Sequence, residues 1–356
     1  VSAAQKASSK HRVAVIGASG YAGAELTRLL ARHPGVRLTA LGADSAAGKA
    51  PEELYPALRG LDLPRFQKMD ATAVAAEADF AFLALPHTES LAMAGDLLAK
   101  GLKVVDLSGD FRLQDSASYE EFYRHDHGQP GLLKEAVYGL TEIHGRRVAG
   151  ARLVSNPGCY TTTAILALYP LLKAGLLKPE GIIIDAKSGV SGGGRKLSQA
   201  FQFCEVDANF SAYRVAGSHQ HIPEIEQELT AAAGAPVRVS FTPHLLPLNR
   251  GIFCTSYGAL AGDATEADLQ ACVADFYKGR RFVRALHGGD MPNLRAVVGT
   301  NLIEIAVRLD ARVSRAVVFS VTDNLIKGAA GQAVQNMNLM LGLPEDAGLD
   351  LSALPV

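Results

Sequence analysis

A cysteine set between a Pro-Gly corner and a helix is placed to act as a nucleophile, and the chain holds one in Ser155-Asn-Pro-Gly-Cys-Tyr-Thr-Thr162. Residues 153–154 read as the end of a short strand, Asn156-Pro-Gly breaks it, and 160–172 follow a helical pattern. Cys159 then lies near a helix N-terminus, where the dipole and unpaired N–H groups favour a thiolate. The same donors suit the oxyanion formed when sulfur attacks a carbonyl. Thr161, Thr162 and Thr163 follow it, small polar residues suited to capping the turn or orienting a substrate. Cysteine is more often a small buried hydrophobe, and Cys254 and Cys272 are read that way. From these residues alone the electrophile stays unspecified.

A thiol chemistry needs a proton carrier, and histidine serves at neutral pH. Two candidates lie in Arg214-Val-Ala-Gly-Ser-His-Gln-His-Ile-Pro-Glu224, in a loop before a helix that Pro223 and Glu224 open and that runs to about 232. His219 and His221 also have the spacing of a metal pair, but no third ligand is evident and the thiol chemistry requires no metal. Periodicity does not choose between the two.

The elements that must position these groups follow from pattern. Residues 12–16 form a short apolar strand leading into Gly17-Ala-Ser-Gly-Tyr-Ala-Gly23 and a helix over 24–31. Strand, glycine turn and helix are the context in which such a motif binds a dinucleotide. Gly17 permits the tight turn, Gly20 allows a diphosphate to approach the backbone, and Gly23 lets the helix pack on the strand. A second strand over 36–41 should end near the cofactor ribose, where Asp44 favours a 2′-hydroxyl while Ser45 and Lys49 favour a 2′-phosphate. Further strands at 79–85 and about 102–106, with a helix over 90–98 between them, predict a parallel sheet covered on both faces. Ligands of such sheets sit beyond the carboxyl ends of the strands, which places Pro86, His87, Ser108, Gly109, Asp110 and Arg112 in candidate loops. Arg112 offers a guanidinium fork for a carboxylate or phosphate.

Past the cysteine, a strand over 181–186 runs into Ser188-Gly-Val-Ser-Gly-Gly-Gly-Arg195, either a mobile surface loop or a cradle for phosphate or nicotinamide. Lys187 and Arg195 flank it as anion anchors. Segments at 236–241, 252–260, 296–309 and 315–320 read as strands of a second, mixed or antiparallel sheet, with a helix over 264–276. The chain closes with a loop at 323–328 and a helix over 329–340, whose small residues suit close packing against the cofactor loop.

Composition bounds the function. The 356 residues suit two domains, and 48% hydrophobic with 20% charged residues describes a soluble globular protein. Lys and Arg number 35 against 36 Asp and Glu, which argues against nucleic acid as a partner. Cys159, Cys204, Cys254 and Cys272 have no zinc-site or C-x-x-C spacing, consistent with free thiols in a reducing compartment. No apolar stretch reaches the roughly 18 to 20 residues that span a bilayer. Residues 1–11, polar and basic, read as a disordered leader, and the expected location is cytoplasmic, with an organelle open if a targeting segment was removed.

With these motifs in order, the chain resembles the N-acetyl-gamma-glutamyl-phosphate reductases, within the aspartate-semialdehyde-dehydrogenase-like group. The marks, spread over residues 11–341, include Gly17-Ala-Ser-Gly-Tyr-Ala-Gly23, Leu85-Pro-His87, Asp106-Leu-Ser-Gly-Asp-Phe-Arg112, Ser155-Asn-Pro-Gly-Cys-Tyr160, Lys187-Ser-Gly-Val-Ser-Gly192, Gly217-Ser-His-Gln-His-Ile-Pro-Glu224 and Asp323-Asn-Leu-Ile-Lys-Gly328. The run Ser191-Gly-Gly-Gly194 has an extra glycine where many members carry alanine, a mild departure that bears on loop stiffness. The resemblance implies an α/β fold: an N-terminal Rossmann-type dinucleotide-binding domain (1–158), then an α+β catalytic and oligomerisation domain (159–325) of the glyceraldehyde-phosphate/aspartate-semialdehyde dehydrogenase type. A C-terminal helix (326–356) returns to the first domain. It implies Cys159 as nucleophile, His219 as acid/base and His221 as a secondary pocket residue. It further implies NADP held by Gly17, Ser19, Gly20, Tyr21 and Gly23, by Ser45 and Lys49, by Pro86 and His87, and by Gly189 and Asn324. For the acyl phosphate substrate it implies Ser108, Arg112, Asn156, Lys187, Ser188, Tyr213 and Arg214.

The implied reaction reduces N-acetyl-L-glutamyl 5-phosphate to the 5-semialdehyde in arginine biosynthesis, in a homodimer or homotetramer, with no metal, nucleic acid or membrane involved. Alternatives are an aminoadipate-semialdehyde-type reductase of lysine biosynthesis and a non-catalytic NADP-binding scaffold.

Overall fold

Two seven-stranded sheets organise residues 10–353, the part of the chain that the computed structural model describes. The first is parallel throughout, with β1 (His11–Ile16), β2 (Val36–Gly42), β3 (Phe66–Gln67), β4 (Phe80–Leu83), β5 (Lys103–Asp106), β6 (Val137–Tyr138) and β7 (Leu153–Ser155) in the order β3-β2-β1-β4-β5-β7-β6. Val13, Ala14 and Val15 are wholly buried, as expected of a strand covered on both faces. The chain winds outward from β1 in both directions, so the crevice between β1 and β4 opens at their carboxyl ends. There Gly17 adopts φ +83, and an added Cβ would lie 2.6 Å from the Ala84 carbonyl carbon. Only glycine meets both conditions. Helix α1 (Tyr21–Leu30) leaves this turn with its amphipathic face on the sheet. Helices α2 (Glu89–Ala99), α3 (Ser116–Tyr123) and α4 (Thr141–Ala149) are the longer of the remaining helices of the first unit, which also has shorter ones at Pro51–Leu54, Ala71–Glu77 and Pro130–Glu135.

The second sheet is mixed. Strands β8 (Ile182–Gly189), β9 (Ser211–Ala212), β10 (Val239–Leu246), β11 (Ile252–Ala259), β12 (Val283–Ala285), β13 (Ile303–Asp310) and β14 (Arg315–Thr322) run in the order β12-β13-β14-β11-β8-β10-β9. β8 with β10 and β12 with β13 are parallel, and the remaining pairs are antiparallel. Helix α5 (Cys159–Lys173) lies on it, flanked by α6 (Ile222–Ala233) and α7 (Glu266–Phe276). Every residue of α5 from Tyr160 to Leu172 is buried, the mark of a helix enclosed on all sides. The last helix, α8 (Gly331–Met340), returns to the first unit, where Val334 and Met337 share a core with Leu26 and Leu30 of α1.

Two expectations need correction. His11 is not leader but the first residue of β1, paired with Val36, because its neighbours already fill the sheet; the rest of that expectation, residues 1–9, lies outside the described residues. Nor is 296–309 one strand: a helical turn occupies Leu294–Val297 and β13 starts at Ile303. The Asn293 side chain caps that turn through Arg295 N–H, and Gly299 at φ +86 reverses the chain.

Replacing Gly17 by Ala should destabilise the fold by about 1–3 kcal/mol through the disfavoured φ and the Ala84 clash, and weaken dinucleotide binding. Thermal unfolding and a nucleotide titration measure both, and parental values would contradict this description of the turn.

Candidate active site

Cys159 opens α5 directly after Gly158, and the corner is held from below by one carboxylate. Glu224, fully buried near the start of α6, accepts hydrogen bonds at Oε1 from Gly158 N–H (2.9 Å), the Thr161 hydroxyl (2.7 Å) and the Tyr138 hydroxyl (2.6 Å). Its Oε2 faces Arg112 Nη1 at 3.5 Å. Arg112 in turn donates from Nε to the Asn156 carbonyl and from Nη2 to the Leu107 carbonyl, each at 2.8 Å. The guanidinium expected to fork a substrate anion therefore commits most of its donors to the protein, though it still lines the cleft. Asn156 behaves alike: its amide bonds the Ala329 carbonyl (3.1 Å) and accepts from Asn336 (3.0 Å).

The thiol is not the preformed thiolate that its place at a helix N-terminus suggested. Burial pushes the Cys159 pKa up to about 11, outweighing the N–H donors of Tyr160 and Cys159 and the charge of Arg112; Glu224 adds to the rise. The imidazoles move the other way. His219 is pushed down to about 2 by burial, then by His221 and Arg214. Burial also lowers His221 strongly, and His87 falls to about 4 through burial and then Arg112. The free protein thus pairs a neutral thiol with neutral imidazoles.

The two neighbouring histidines occupy different positions. His219 stands among Tyr160, Phe241 and Tyr213, with ring centroids at 5.7, 5.1 and 5.8 Å. Its Nδ1 accepts the His221 N–H at 3.1 Å, so the neutral ring carries its proton on Nε2. His221 lines the cleft together with Cys159, and its buried Nδ1 has no partner. A Cβ on Gly158 would lie 2.5 Å from His221 Nε2 and 2.9 Å from Arg112 Nη1, so glycine is what lets both approach the corner. His87 faces the same cleft from the end of β4, its Nδ1 accepting Gly109 N–H at 2.8 Å.

One open cleft of ≈ 1470 Å³ runs from the glycine turn to the cysteine. Gly17, Ser19, Gly20, Tyr21 and Gly23 line one end, with Asp44 and Ser45 nearby, and Pro86 and His87 lie on its way to Cys159. Gly20 caps α1 without any side-chain bond, which leaves the first N–H groups of that helix for an anion. These features fit a nicotinamide dinucleotide. Lys49 is exposed and absent from these walls. The glycine-rich loop supplies cations in its place: Arg195 and Lys196 line the cleft, and Arg195 Nη1 reaches the Ser19 carbonyl at 3.3 Å. Asn324 lines the cleft but uses its amide to tie that loop, accepting from Gly251 N–H (2.7 Å) and donating to Ser191 (2.9 Å).

Several expected residues are not brought to these walls. Lys187 pairs with Asp185 at 3.0 Å, since alternation along β8 turns it away from buried Ser188. Ser188 bonds the carbonyl of Gly189, and a Cβ on Gly189 would meet the backbone of Arg250 at 2.8 Å. Ser108 is buried on the carboxylate of Asp106 (2.6 Å), whose own pKa rises to about 6 by burial. Tyr213 donates to Tyr160 (3.0 Å), and exposed Arg214 holds Gln220 (2.8 Å). Among the described residues no cluster of three or more His, Cys, Asp and Glu could hold a metal, and no helix is long and apolar enough to cross a membrane. Glu224 is the residue that sequence reasoning missed; its place after Pro223 marked only a helix start.

Comparison with known proteins fits this geometry. A family described as "Semialdehyde dehydrogenase, NAD binding domain" matches residues 12–151, and "Semialdehyde dehydrogenase, dimerisation domain" matches 159–324. The chain is 50% identical over 338 residues to the N-acetyl-gamma-glutamyl-phosphate reductase of Pelotomaculum thermopropionicum, covering 95% of this chain and 97% of that one. It is 49% identical over 346 residues to the protein of the same name from Symbiobacterium thermophilum, covering 97% and 99%. Aspartate semialdehyde dehydrogenase II of Vibrio cholerae superposes with a TM-score of 0.72 at 18% identity, over 94% of this chain and 99% of that one. The fold is the expected pair, a Rossmann-type dinucleotide-binding domain and a semialdehyde-dehydrogenase-type catalytic domain.

Substituting Glu224 by Gln removes a charge that raises the Cys159 pKa, so the midpoint of its pH-dependent alkylation by iodoacetamide should fall below that of the parent. An unchanged or higher midpoint would contradict the electrostatics described.

Proposed function

The chain belongs to the N-acetyl-gamma-glutamyl-phosphate reductase family, and from that membership we propose that it reduces N-acetyl-L-glutamyl 5-phosphate to N-acetyl-L-glutamate 5-semialdehyde and phosphate, in arginine biosynthesis, through a thioester on Cys159. The observation that carries this reading is a single cleft joining the dinucleotide turn at Gly17 to a cysteine at a helix N-terminus.

The chemistry divides into two covalent steps. Cys159 Sγ attacks the acyl carbon, the thiol proton passes to a neutral imidazole, and the bond from carbon to phosphate oxygen breaks with its electron pair leaving on phosphate. His221 suits the first proton transfer, because it lines the cleft and its ring is not fixed by any bond at Nδ1. N–H groups at the start of α5 support the oxyanion. A nicotinamide cofactor held at the glycine turn Gly17 to Gly23 would supply the hydride that reduces the thioester. The proton taken by the first imidazole leaves on the departing phosphate; His219, protonated on both ring nitrogens once the anionic substrate is bound, then gives its Nε2 proton to the departing sulfur as the C–S bond breaks and the aldehyde forms, and returns to the neutral ring. Substrate charge entering the cleft raises both histidines from their low values in the free protein.

NADP is the proposed cofactor, held at the turn by Gly17, Ser19, Gly20, Tyr21 and Gly23. Exposed Ser45 and the cations Arg195 and Lys196 support the 2′-phosphate, while Asp44 is the feature that favours NAD. The proposed assembly is a homodimer or homotetramer in contact through the outer face of the second sheet. That face presents exposed Ile183 beside half-buried Phe253, Tyr257, Val317 and Phe319.

The test runs the reaction in reverse from semialdehyde, phosphate and NADP. Reduced cofactor should accumulate only when phosphate is present and should vanish in Cys159→Ser; phosphate-independent turnover would overturn the assignment. A substrate one methylene longer should react about 10–200-fold less well, and equal rates would favour the lysine-pathway reading. In single turnovers, His221→Gln should slow acylation and His219→Gln aldehyde formation. The opposite pattern would reverse the two roles.

A further inference from the structure

Lys327 is wholly buried, a costly place for an ammonium, yet each of its three donors is used. Nζ bonds Glu142 Oε1 at 2.6 Å, Gln332 Oε1 at 2.7 Å and Gln335 Oε1 at 2.8 Å. The acceptors come from α4 and α8, and Gln332 extends the network to the Gly139 carbonyl and Thr141, both at 3.0 Å. Replacing such a pair with apolar residues is often neutral or stabilising, so stability alone does not account for it.

Its neighbours point to a role. Lys327 lies in a π-helical turn, Ile326–Ala330, a wide form of helix frequent at functional sites. The turn is anchored at its start by Asp323, whose carboxylate accepts from Leu325 N–H (2.8 Å) and Ile326 N–H (3.0 Å). The next residue, Gly328, is pressed on the nucleophile: an added Cβ would lie 2.9 Å from Cys159 Cβ and 3.2 Å from its Cα. The residue after that, Ala329, takes the Asn156 side-chain bond from the strand-to-helix corner. Gly328 and Ala329 both line the cleft.

We propose that Lys327 is a positioning residue for Cys159: its buried pair with Glu142 fixes the π turn so that Gly328 and Ala329 form the wall that sets the place of the thiol. The inference rests on Cys159 being the nucleophile. Lys327 is itself fully buried and does not line the cleft.

Two variants test this. Lys327→Met combined with Glu142→Gln removes both charges and leaves no unpaired carboxylate. Gly328→Ala keeps the pair and intrudes on Cys159. Each should bind the dinucleotide and substrate within about threefold of the parent while kcat falls about tenfold or more, the pattern of lost reacting geometry. Alkylation of Cys159 by iodoacetamide, which needs no assumption about the natural substrate, should change about fivefold or more in rate for the same reason. Parental kcat and alkylation in a folded double variant would overturn the proposal, as would a kcat that falls only with the unfolded fraction or a rise in KM alone. If the double variant does not fold, Glu142→Gln alone decides, since it removes the charge pair but leaves Lys327 its two glutamine acceptors: parental kcat and alkylation overturn the proposal, and their joint change in the folded protein supports it. Loss of turnover on acyl phosphate in the parent, with alkylation still sensitive to both variants, would fault the substrate reading and leave the positioning role intact.

Discussion

A single buried carboxylate holds the strand-to-helix corner at Cys159 together. Glu224 takes hydrogen bonds from the turn before Cys159, from the first turn of α5 and from β6 of the first sheet, and it faces Arg112. Burying a carboxylate is costly unless its lone pairs are satisfied, and here three donors and a guanidinium meet that need. Glu224 also stands near the beginning of α6, three residues after His221, so the histidine loop is tied to the cysteine by the same contact. The arrangement favours geometry over a standing thiolate. The carboxylate that fixes the corner also raises the thiol pKa, and burial raises it further.

The surrounding fold serves to bring two chemistries to one cleft. The parallel sheet offers its carboxyl ends to a dinucleotide, and α5, enclosed on every side, delivers Cys159 to the same opening. Further ties cross between the units. Arg250 pairs with Glu25 of α1 and lies 3.5 Å from Asp323, which anchors the π turn behind the cysteine. The closing helix packs on α1 and carries the glutamines that hold Lys327. Helix α1 and the wall beside Cys159 thus share a framework of buried polar contacts.

What could be read from the sequence was what is encoded locally. The turn Gly17 to Gly23 was legible because strand, glycines and helix are contiguous, and the Pro-Gly-Cys corner for the same reason. Glu224 was not, because its partners lie 66, 63, 86 and 112 residues away and nothing local marks it. Lys187 misled because a charge beside a glycine-rich loop suggests anion binding, while the register of β8 turns it to the opposite face. Lys49 misled similarly; it is exposed and off the cleft walls, where Arg195 and Lys196 arrive from the other domain beside Arg112 of the first. The state of the thiol could not be read from helix position alone, since the dipole was visible and the burial that overrides it was not.

The most direct test of covalent chemistry at Cys159 is a stoichiometric reaction with N-acetyl-L-glutamyl 5-phosphate in the absence of any reduced cofactor. It follows phosphate release and the mass of the protein together. Rapid release of about one phosphate per chain should accompany one added N-acetylglutamyl group on the peptide that contains Cys159. Phosphate that appears only after reduced cofactor is supplied, or an acyl group found on another residue, would contradict it.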